Sequence, residues 1–375
     1  MVVGCLAETK TRTNEETNAN TQKISQKQED ATLSLDESML KVQVEKVEVP
    51  TINIKAVGDV MLGRGVGGRL NEDYISPFKE VAPFLNSADI TFANLECSIS
   101  DRGQALIGKG VWLRAQPKAI EGLLYAGFNI INIANNHILD YNEIAMFDTI
   151  DILDEHGIKH MGAGKNLEVA RKPAILGVEG VTVGFVGYTD LYQYGYGVPG
   201  QRALKFVEAK ENEAGVAPLK LDMIKEDVKS LRDKVDIVIV SLHWGIEDSQ
   251  QVPQTQREFA YEVIDAGADM ILGHHPHRLQ GIEFYDGKPI VYSMGNFLFD
   301  QNDKENNESM IVDIDFTDGK VSRFEIIPCL IANKTQTVYA TGEDAAHIVG
   351  YMQRFSQKLD TPSIIEGEKL IFYKQ

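Results

Sequence analysis

Short apolar runs alternate along this chain with longer segments in which apolar residues recur at helical spacing. The runs have the length of buried strands and cover residues 52–57, 90–95, 129–134, 181–186, 236–242, 269–272 and 289–293. The segments that we predict to be helical cover residues 117–126, 143–156, 219–234 and 255–266, and the first of them has a proline in its first turn. Strands that alternate with helices are typical of an α/β fold.

The two ends of the chain depart from this alternation. Residues 6–48 are rich in Thr, Asn, Gln, Glu and Lys and poor in aromatic residues, so they cannot bury enough apolar area to offset chain entropy. We therefore predict a disordered tether over residues 1–48 and a folded domain over residues 49–375. Near the end of the domain, segments 309–316 and 320–327 flank a Thr-Asp-Gly turn and are predicted to form a hairpin.

A long connection over residues 188–218 is rich in tyrosine and glycine before a charged stretch. Connections of this length are uncommon and usually functional. The sequence leaves two interpretations open, a flap on the substrate side of the domain and a variable surface loop.

Polar side chains follow the predicted strands at the point where each one ends. In chain order they are Asp59, Glu96, the group Asn135-Asn136-His137, His243, the group His274-His275-Pro276-His277, and Asn296. Ligands of α/β sheets bind outside the carboxyl ends of the strands. Several strands therefore direct oxygen and nitrogen donors to a common edge of the fold.

The densest group of donors is the histidine cluster that follows the sixth run. Three of the eight histidines of the chain fall within residues 274–277. Neutral imidazole is the commonest protein ligand of Zn²⁺-like ions, and Pro276 stiffens the backbone between two of them. A solvated, histidine-rich turn without a metal is the alternative for this stretch alone. The donors at the other strand ends favour the metal site.

Composition narrows the classes of partner. With 375 residues and 43% hydrophobic content the chain can bury a sizeable core. The formal net charge of -18 argues against nucleic acid, because binding a polyphosphate needs clustered Lys and Arg. An anionic substrate would also be repelled unless a bound cation reversed the local field. No apolar run is long enough to span a membrane.

The three cysteines are Cys5, Cys97 and Cys329, and none forms a CxxC pair. Cys5 ends the segment Val2-Val3-Gly4-Cys5, which resembles the end of a bacterial lipoprotein signal, although the charged and apolar regions that precede such a cysteine are missing. Cys5 is therefore a candidate for lipidation, with an ordinary cysteine in a loose tail as the alternative. The sequence does not decide whether the other two cysteines pair.

The strand-end donors define a candidate metal site. The candidate ligands are Asp59, Glu96, Asn136, His243, His275 and His277. Oxygen and nitrogen donors without a thiolate favour one or two divalent ions of the Mn, Fe, Co or Zn type, and a carboxylate such as Glu96 can bridge two ions about 3.5–4 Å apart. His137 is a candidate catalytic residue that stabilises charge or protonates a leaving group, and Asp140 is a candidate to orient it.

Four residues beside these donors are weaker candidates for contacts with a substrate. They are Asn94, Trp244, Glu247 and Asn296. For Trp244, packing in a core is an equal alternative.

Six motifs in fixed order resemble those of the CapA/PgsA family, the poly-γ-glutamate capsule synthesis proteins. They are GDVMLGR at 58–64, NLE at 94–96, ANNHILDY at 134–141, HWGIE at 243–247, GHHPHRLQ at 273–280 and YSMGNFLFD at 292–300, with GAGKN at 162–166 also in pattern. The resemblance covers residues 52–300. It implies a four-layer α/β/β/α sandwich related to the calcineurin-like metallophosphoesterases, with the site at the strand ends.

The resemblance also implies a role for each donor. Asp59 matches the first metal-binding aspartate, Glu96 the bridging carboxylate, Asn136 and His137 the ligand and the catalytic residue of an Asn-His pair, and His243, His275 and His277 the remaining ligands. The closing His-x-His spacing is met without His274, which is therefore a less favoured ligand.

One departure from the wider superfamily concerns Met61. The superfamily has histidine two residues beyond the first aspartate, where this chain has Met61, and a thioether is a poor ligand for a hard cation. We therefore expect one of the two metal positions to be under-coordinated, loosely filled or absent, which puts phosphatase turnover in question.

Other chemistries fit less well. Residues 63–68 formally satisfy GxGxxG, but Asp59 stands between the strand and the glycines, and Glu96 lies farther along than the acidic residue of a dinucleotide site. The chain has neither a P-loop GK[ST] nor a GxSxG elbow.

Two hypotheses of function remain. The first is an envelope-anchored metallohydrolase that acts on a phosphoester or on the amide of an anionic γ-glutamyl polymer. The second is a non-catalytic, metal-binding scaffold subunit of a polymer synthesis and export complex. Both place the chain outside the cytoplasm, held to the membrane by its N-terminal lipid alone and next to membrane synthase or export subunits.

Overall fold

The computed structural model of the protein describes residues 50–197 and 205–373. Two β-sheets pack face to face, and helices cover their outer faces. The predicted tether over residues 1–48, with Cys5, lies outside the described residues, as do residues 198–204 of the long connection.

Sixteen strands build the two main sheets. In chain order they are β1 (Thr51–Val60), β2 (Ile90–Leu95), β3 (Ile130–Asn132), β4 (Lys159–Met161), β5 (Ala174–Val178), β6 (Val181–Thr189), β7 (Ile237–His243), β8 (Met270–His274), β9 (Ile282–Tyr285), β10 (Lys288–Val291), β11 (Asn296–Leu298), β12 (Glu308–Thr317), β13 (Lys320–Ala332), β14 (Gln336–Tyr339), β15 (Ser363–Glu366) and β16 (Lys369–Phe372). Short pairs outside these sheets join Ser98–Ile99 to Arg114–Ala115, Ala163–Gly164 to Gly215–Val216, and Gly195–Tyr196 to Lys205–Phe206.

The larger sheet has the order β15-β16-β13-β12-β1-β2-β3-β4, with β11 also paired to β1 and β14 to β13. The smaller sheet has the order β9-β10-β8-β7-β6-β5. Strands β1 to β4 run parallel, and so do β6, β7, β8 and β10. Each apolar run that the sequence predicts as a strand of the α/β fold forms a strand in one of these two parallel blocks.

Nine α-helices are described. They are α1 (Arg64–Leu70), α2 (Ala82–Leu85), α3 (Ile120–Tyr125), α4 (Asn142–Glu155), α5 (Leu167–Ala170), α6 (Leu221–Arg232), α7 (Gln254–Asp265), α8 (Lys304–Asn307) and α9 (Gly342–Gln357). Three-residue to four-residue 3₁₀ turns cover Ser76–Phe78, Pro117–Ala119 and Asp190–Gln193. None of the helices in residues 50–197 and 205–373 has both the length and the apolar character needed to span a bilayer.

The predicted four-layer α/β/β/α sandwich is confirmed, because alternate side chains of a central strand lie on opposite faces of its sheet, one against the other sheet and one against the helices. In β7, Ile237 and Ile239 lie in the core between the sheets, whereas Val238 and Val240 lie under the helices of the outer face. Successive side chains of a strand point to opposite faces, so a strand covered on both faces is apolar throughout. This is why the central strands stand out in the sequence as continuous apolar runs.

The predicted hairpin is formed by β12 and β13, which pair antiparallel along their length. Asp318 and Gly319 link them with positive φ angles of 54° and 66°, as a two-residue type I′ turn requires. Helix α9, which the sequence analysis did not predict, packs Ala345, Ile348 and Met352 into the core between the sheets. The two cysteines of the domain are buried and unpaired.

A charged network crosses the outer face of the larger sheet beside β1. Lys55 and Asp313 are each 3% exposed, and the Lys55 Nζ lies 3.5 Å from Asp313 Oδ1. Asn53 donates to the same carboxylate at 2.7 Å, and Arg323 Nη1 lies 2.8 Å from its other oxygen. Burial by itself raises the pKa of Asp313, but the hydrogen bonds from Arg323 and Asn53 outweigh it and hold that pKa below its usual range.

We expect Asp313→Ala to lower the free energy of unfolding by about 3 kcal/mol, because it leaves Lys55 buried without its counter-charge. Urea unfolding followed by circular dichroism measures the effect. The double variant Lys55→Met/Asp313→Leu, which removes both charges, should recover most of the loss. A single-variant loss no larger than that of the exposed control Asp233→Ala, at a residue with an ordinary φ of -73°, would contradict a stabilising role for the pair.

Candidate metal centre

The predicted donors meet where the carboxyl ends of the two parallel blocks face each other. Asp59 lies in register with Asn94 of β2 on one side and with Asn296 of β11 on the other. Asn94 donates to Asp59 Oδ1 at 2.8 Å, and its own oxygen accepts from Asn132 at 3.0 Å and from Asn135 at 3.2 Å. A chain of buried amides therefore fixes the Asp59 carboxylate.

Glu96, which directly follows β2, lies at the centre of the group. Its side chain is fully buried, and neither carboxylate oxygen has a hydrogen-bond partner among the described residues. The Oε1 atom lies 3.9 Å from His137 Nε2, 3.8 Å from His243 Nε2 and 3.8 Å from His277 Nε2. These distances are too long for hydrogen bonds, and a buried carboxylate without a partner is costly. The donor set therefore fits a cation between the carboxylate and the imidazoles.

Asp59, Glu96 and His277 form the tightest set, with one ligand atom of each within 4.8 Å of the others. The His277 Nδ1 lies 2.9 Å from Asn296 Oδ1 and 3.5 Å from Asp59 Oδ2. A hydrogen bond from Nδ1 to the Asn296 oxygen leaves Nε2 with a lone pair that faces Glu96. Hydrogen bonds of this kind orient imidazoles that bind a metal.

A second set of donors also lies beside Glu96, whose Oε1 atom is 3.8 Å from both His243 Nε2 and His277 Nε2. The His243 Nε2 is 2.9 Å from Asn136 Oδ1, and the His243 ring lies 5.0 Å from the His275 ring. Because Glu96 faces both sets, it is the group that one ion or two ions would share. The six residues that the sequence predicts as ligands therefore lie close together, and the tightest group among them is Asp59, Glu96 and His277.

Beside the donors, His137, Asp140 and Lys109 form a connected group. The His137 Nδ1 lies 2.7 Å from Asp140 Oδ2, and the fully buried Asp140 also accepts from the Leu113 backbone at 2.6 Å. The Lys109 ammonium contacts the other Asp140 oxygen and the Asn136 carbonyl. The His137 ring is therefore held from its Nδ1 side, with Nε2 turned toward Glu96.

The buried setting decides the protonation of the site. Burial lowers the pKa of His137 and lowers that of His243 further, and it lowers the pKa of His275 to about 4. Burial is the main cause that raises the pKa of Glu96, and the neighbouring Asp59 charge raises that pKa further. Neutral imidazole is the form that binds a metal. Three of the site histidines are therefore poised as ligands or proton acceptors near neutral pH.

The loop that follows β8 places two histidines in unusual backbone conformations. His275 has φ 95° and His277 has φ 58°, values that are uncommon for residues other than glycine. Such conformations cost about 1–3 kcal/mol each and cluster at functional sites. At Gly273, just before the loop, a Cβ atom would lie 1.9 Å from the Tyr292 carbonyl oxygen. Only glycine fits there.

Comparison with known proteins identifies the family. The sequence profile of the family described as "Bacterial capsule synthesis protein PGA_cap" matches residues 53–301. The chain belongs to this family. The resemblance derived from the motifs between residues 58 and 300 is thereby confirmed.

Known proteins with similar sequences include two capsule proteins of Bacillus. The capsule biosynthesis protein CapA of Bacillus anthracis is 30% identical over 295 residues, which cover 76% of this chain and 69% of that protein. The PGA biosynthesis protein CapA of Bacillus subtilis is 33% identical over 282 residues, which cover 74% of this chain and 71% of that protein. Among solved structures, the calcineurin-like phosphoesterase YfkN from Bacillus subtilis matches over 83% of this chain and 98% of that chain, with 13% identity and a TM-score of 0.43.

Not every sequence candidate joins the site of this family member. Trp244 is 2% exposed and stacks on Tyr292 in the outer core, where its indole N–H donates to the Tyr292 carbonyl at 3.1 Å. Trp244 therefore packs in the core and does not line the site. Glu247 is exposed, and its charge is one of the smaller causes that raise the pKa of Glu96.

Met61 and His274 also lie outside the ligand set. Met61 is fully buried in the outer core, and its sulfur accepts from the Gly63 backbone at 3.2 Å, so it supplies no donor to the site. The His274 Nδ1 lies 3.2 Å from Asp59 Oδ1, and neither ring nitrogen has a hydrogen-bond partner among the described residues. Its ring packs against Phe92, with centroids 5.6 Å apart.

Two residues beside the donors of this family member, Lys109 and Asp190, were not predicted from the sequence. Lys109 is a single lysine in a loop with no motif that would mark it, although the flanking Gly108 and Gly110 are a signal of unusual backbone. Asp190 accepts from the Gly245 backbone at 2.9 Å, and burial raises its pKa to about 6. It thereby braces the segment that follows His243.

Proposed function

We propose that this protein is a divalent-metal-dependent hydrolase that acts on a γ-glutamyl polymer or on a phosphoester in capsule synthesis. Glu96 carries the proposal, because a buried carboxylate without hydrogen bonds faces three imidazole nitrogens at 3.8–3.9 Å. A cation is the partner that such a group lacks. The names of the curated relatives support a role in capsule or poly-γ-glutamate synthesis.

Two overlapping sets of residues would hold the metal. Asp59, Glu96 and His277 would hold one ion, and Glu96 with Asn136, His243 and His275 would hold a second. A bound ion of the Mn, Fe, Co or Zn type supplies Lewis-acid activation of water and of the scissile group. Its charge also reverses the local field, so that an anionic substrate can approach a chain whose net charge is -18.

The residues beside the donors would move the proton. A hydrogen bond from His137 Nδ1 to Asp140 fixes the tautomer in which Nε2 carries the lone pair and faces the site. That nitrogen is placed to take a proton and then to deliver it to the leaving group. Lys109 would hold Asp140 in place from the opposite side.

We expect Lys109→Met to lower kcat about tenfold and to leave the metal content unchanged. Methionine keeps the apolar packing of the side chain but leaves the buried Asp140 without its cation, and loss of an orienting partner of this kind costs about 10–100-fold in activity. Lys79→Met, at a lysine side chain that is 56% exposed, is the matched control. A metal content that falls together with kcat would contradict a positioning role for Lys109.

Metal analysis of the purified chain, together with hydrolysis assays, tests the proposed function. The assays use a model phosphodiester and a defined γ-glutamate oligomer, each with and without Mn²⁺. We expect at least one bound divalent ion per chain and Mn²⁺-dependent release of product from one of the two substrates. If the chain binds no metal and releases product from neither substrate, the proposal fails.

A non-catalytic, metal-binding scaffold subunit of a polymer synthesis and export complex is the second candidate function. Met61 favours it, because the sulfur of Met61 lies in the outer core and leaves the Asp59 side of the site with one donor fewer. Under this reading, variants that lose hydrolysis but retain metal would still support capsule formation in cells. A loss of capsule at normal protein level and normal complex assembly would exclude it.

We also propose that the chain lies on the outer side of the cell membrane, held by a lipid on Cys5 next to membrane synthase or export subunits. The lipoprotein-like segment before Cys5 and the polar tether over residues 6–48 support this location. We expect Cys5→Ala to move the protein from the membrane fraction to the soluble fraction. Retention of the variant in the membrane fraction would contradict lipid anchoring.

A further inference from the structure

A cleft of about 550 Å³ lies beside strand β4 and helix α4, and none of its lining residues belongs to the metal centre. Its charge is opposite to that of the whole protein. Lys159, Lys165 and Lys172 line it together with a single carboxylate, that of Asp154. Asp154 is paired with His160 at 3.3 Å, and among the described residues no carboxylate lies within ion-pair distance of the three lysines. A chain with net charge -18 therefore keeps three unpaired cations in one cleft.

The floor of the cleft is apolar. It is formed by Phe147, Ile150, Met161, Val169, Pro173 and Ile175. Ile175 is 41% exposed at the rim, so the apolar surface extends outward from the floor. A free inorganic anion would gain nothing from this surface, whereas a ligand with methylene groups between its charges would bury them against it.

Two strand edges also line the cleft. Strand β4 is the last strand of the larger sheet, and β5 is the last strand of the smaller one; both contribute residues to the lining. An edge strand presents backbone N–H and C=O groups that no neighbouring strand uses, and such edges bind extended amide chains. In addition, the buried His160 Nδ1 atom has no hydrogen-bond partner among the described residues.

We propose that this cleft is a binding site for a stretch of γ-linked glutamate chain, separate from the metal centre. The carboxylates of the polymer would pair with the three lysines, its methylene groups would cover the apolar floor, and its amides would pair with the two strand edges. The choice of polymer rests on the proposed function. The cleft also has a suitable location, because β4 runs parallel to β3, whose carboxyl end leads to Asn136 and His137.

Charge reversal with a matched control tests the site. The full chain is titrated against a fluorescently labelled γ-glutamate oligomer by fluorescence anisotropy. We expect Lys159→Glu/Lys165→Glu/Lys172→Glu to raise Kd about tenfold or more, because the repulsion replaces three charge pairs. The control Lys229→Glu/Lys234→Glu/Lys320→Glu changes three exposed lysines elsewhere by the same charge and should stay within about twofold of the wild type.

Two outcomes would overturn the proposal. Equal weakening by both triple variants would show an effect of net charge alone, and tighter binding of polyphosphate than of the γ-glutamate oligomer would exclude a carboxylate polymer as the ligand. Hydrogen exchange of the wild-type chain is a second readout that needs no variant. We expect the oligomer to slow exchange in residues 159–161 and 174–178, and unchanged exchange there would count against the site.

The binding test of the cleft does not depend on whether the protein hydrolyses a substrate. The cleft variant should hydrolyse a small model phosphodiester at the wild-type rate, because none of its three lysines touches the metal centre. If the wild type binds the oligomer through the cleft but hydrolyses no substrate, the proposed hydrolase function fails and the binding site stands. If hydrolysis is found and the two triple variants bind the oligomer alike, the proposed hydrolase function stands and the proposed binding site fails.

Discussion

Replacing Glu96 with glutamine is expected to abolish metal-dependent hydrolysis and, at the same time, to raise the thermal stability of the metal-stripped protein. The glutamine is nearly isosteric but cannot act as an anionic ligand, so we expect kcat/KM to fall by at least about 10³-fold. The native carboxylate is fully buried and has no hydrogen bond, which costs the metal-stripped fold about 1–3 kcal/mol. Scanning calorimetry with EDTA and with Mn²⁺ measures both states.

Glu283 provides the matched control. Its side chain is also buried, at 4% exposure, but its carboxylate accepts from Tyr292 at 2.7 Å and from Arg257 at 2.6 Å. Glu283→Gln should therefore lower Tm and leave the stabilisation by Mn²⁺ intact, whereas Glu96→Gln should raise Tm with EDTA and lose that stabilisation. If both variants lower Tm and both respond to Mn²⁺, Glu96 is a structural residue and the proposed metal centre is wrong.

The parts of the fold that were predictable from sequence are those covered on both faces. Strands β7 and β8 lie between helices and the opposite sheet, so most of their positions are apolar and the run stands out. The strand ends were predictable for a related reason. Because Asp59, Glu96 and His243 lie at or just after the carboxyl ends of buried parallel strands, sheet geometry alone brings them to one edge.

The parts that were not predictable lack such a pattern. Strand β5 lies at an edge with a mixed burial pattern, and its short run does not differ from many loop segments. Helix α9 has an apolar stripe that fills the gap between the sheets, but only the folded structure shows that the gap exists. Trp244 follows the candidate ligand His243 in sequence, yet its side chain packs in the core against Tyr292, because successive side chains of an extended chain point to opposite sides.

Lys109 is the clearest example of a site residue that could not be predicted from the sequence. Its loop carries no hydrophobic period, and the contact with Asp140 joins residues 31 positions apart in the sequence. A buried ion pair between two loops depends on where both loops end, which is a property of the tertiary structure. The site also breaks local rules, with positive φ angles at His275 and His277 and an unpaired carboxylate at Glu96. Such violations are expected where function, and not stability, selects the residue.

Replacing His137 with alanine is expected to lower kcat by about 10²–10⁴-fold, the contribution typical of a general acid or base, while the bound metal is retained. His137 Nδ1 is engaged by Asp140 at 2.7 Å, and the tightest donor set, Asp59 with Glu96 and His277, does not include this residue. Metal analysis and steady-state kinetics on the same preparation measure the two effects separately.

His156→Ala is the control, because this histidine is exposed and its ring forms a hydrogen bond with the Ile152 carbonyl of its own helix, at 2.9 Å. It should leave kcat and metal content unchanged. Loss of metal together with activity in His137→Ala would make His137 a ligand. In cells, loss of capsule at normal levels of the variant protein would exclude a purely structural subunit, since a scaffold needs the shape of the site but not a nitrogen that moves a proton.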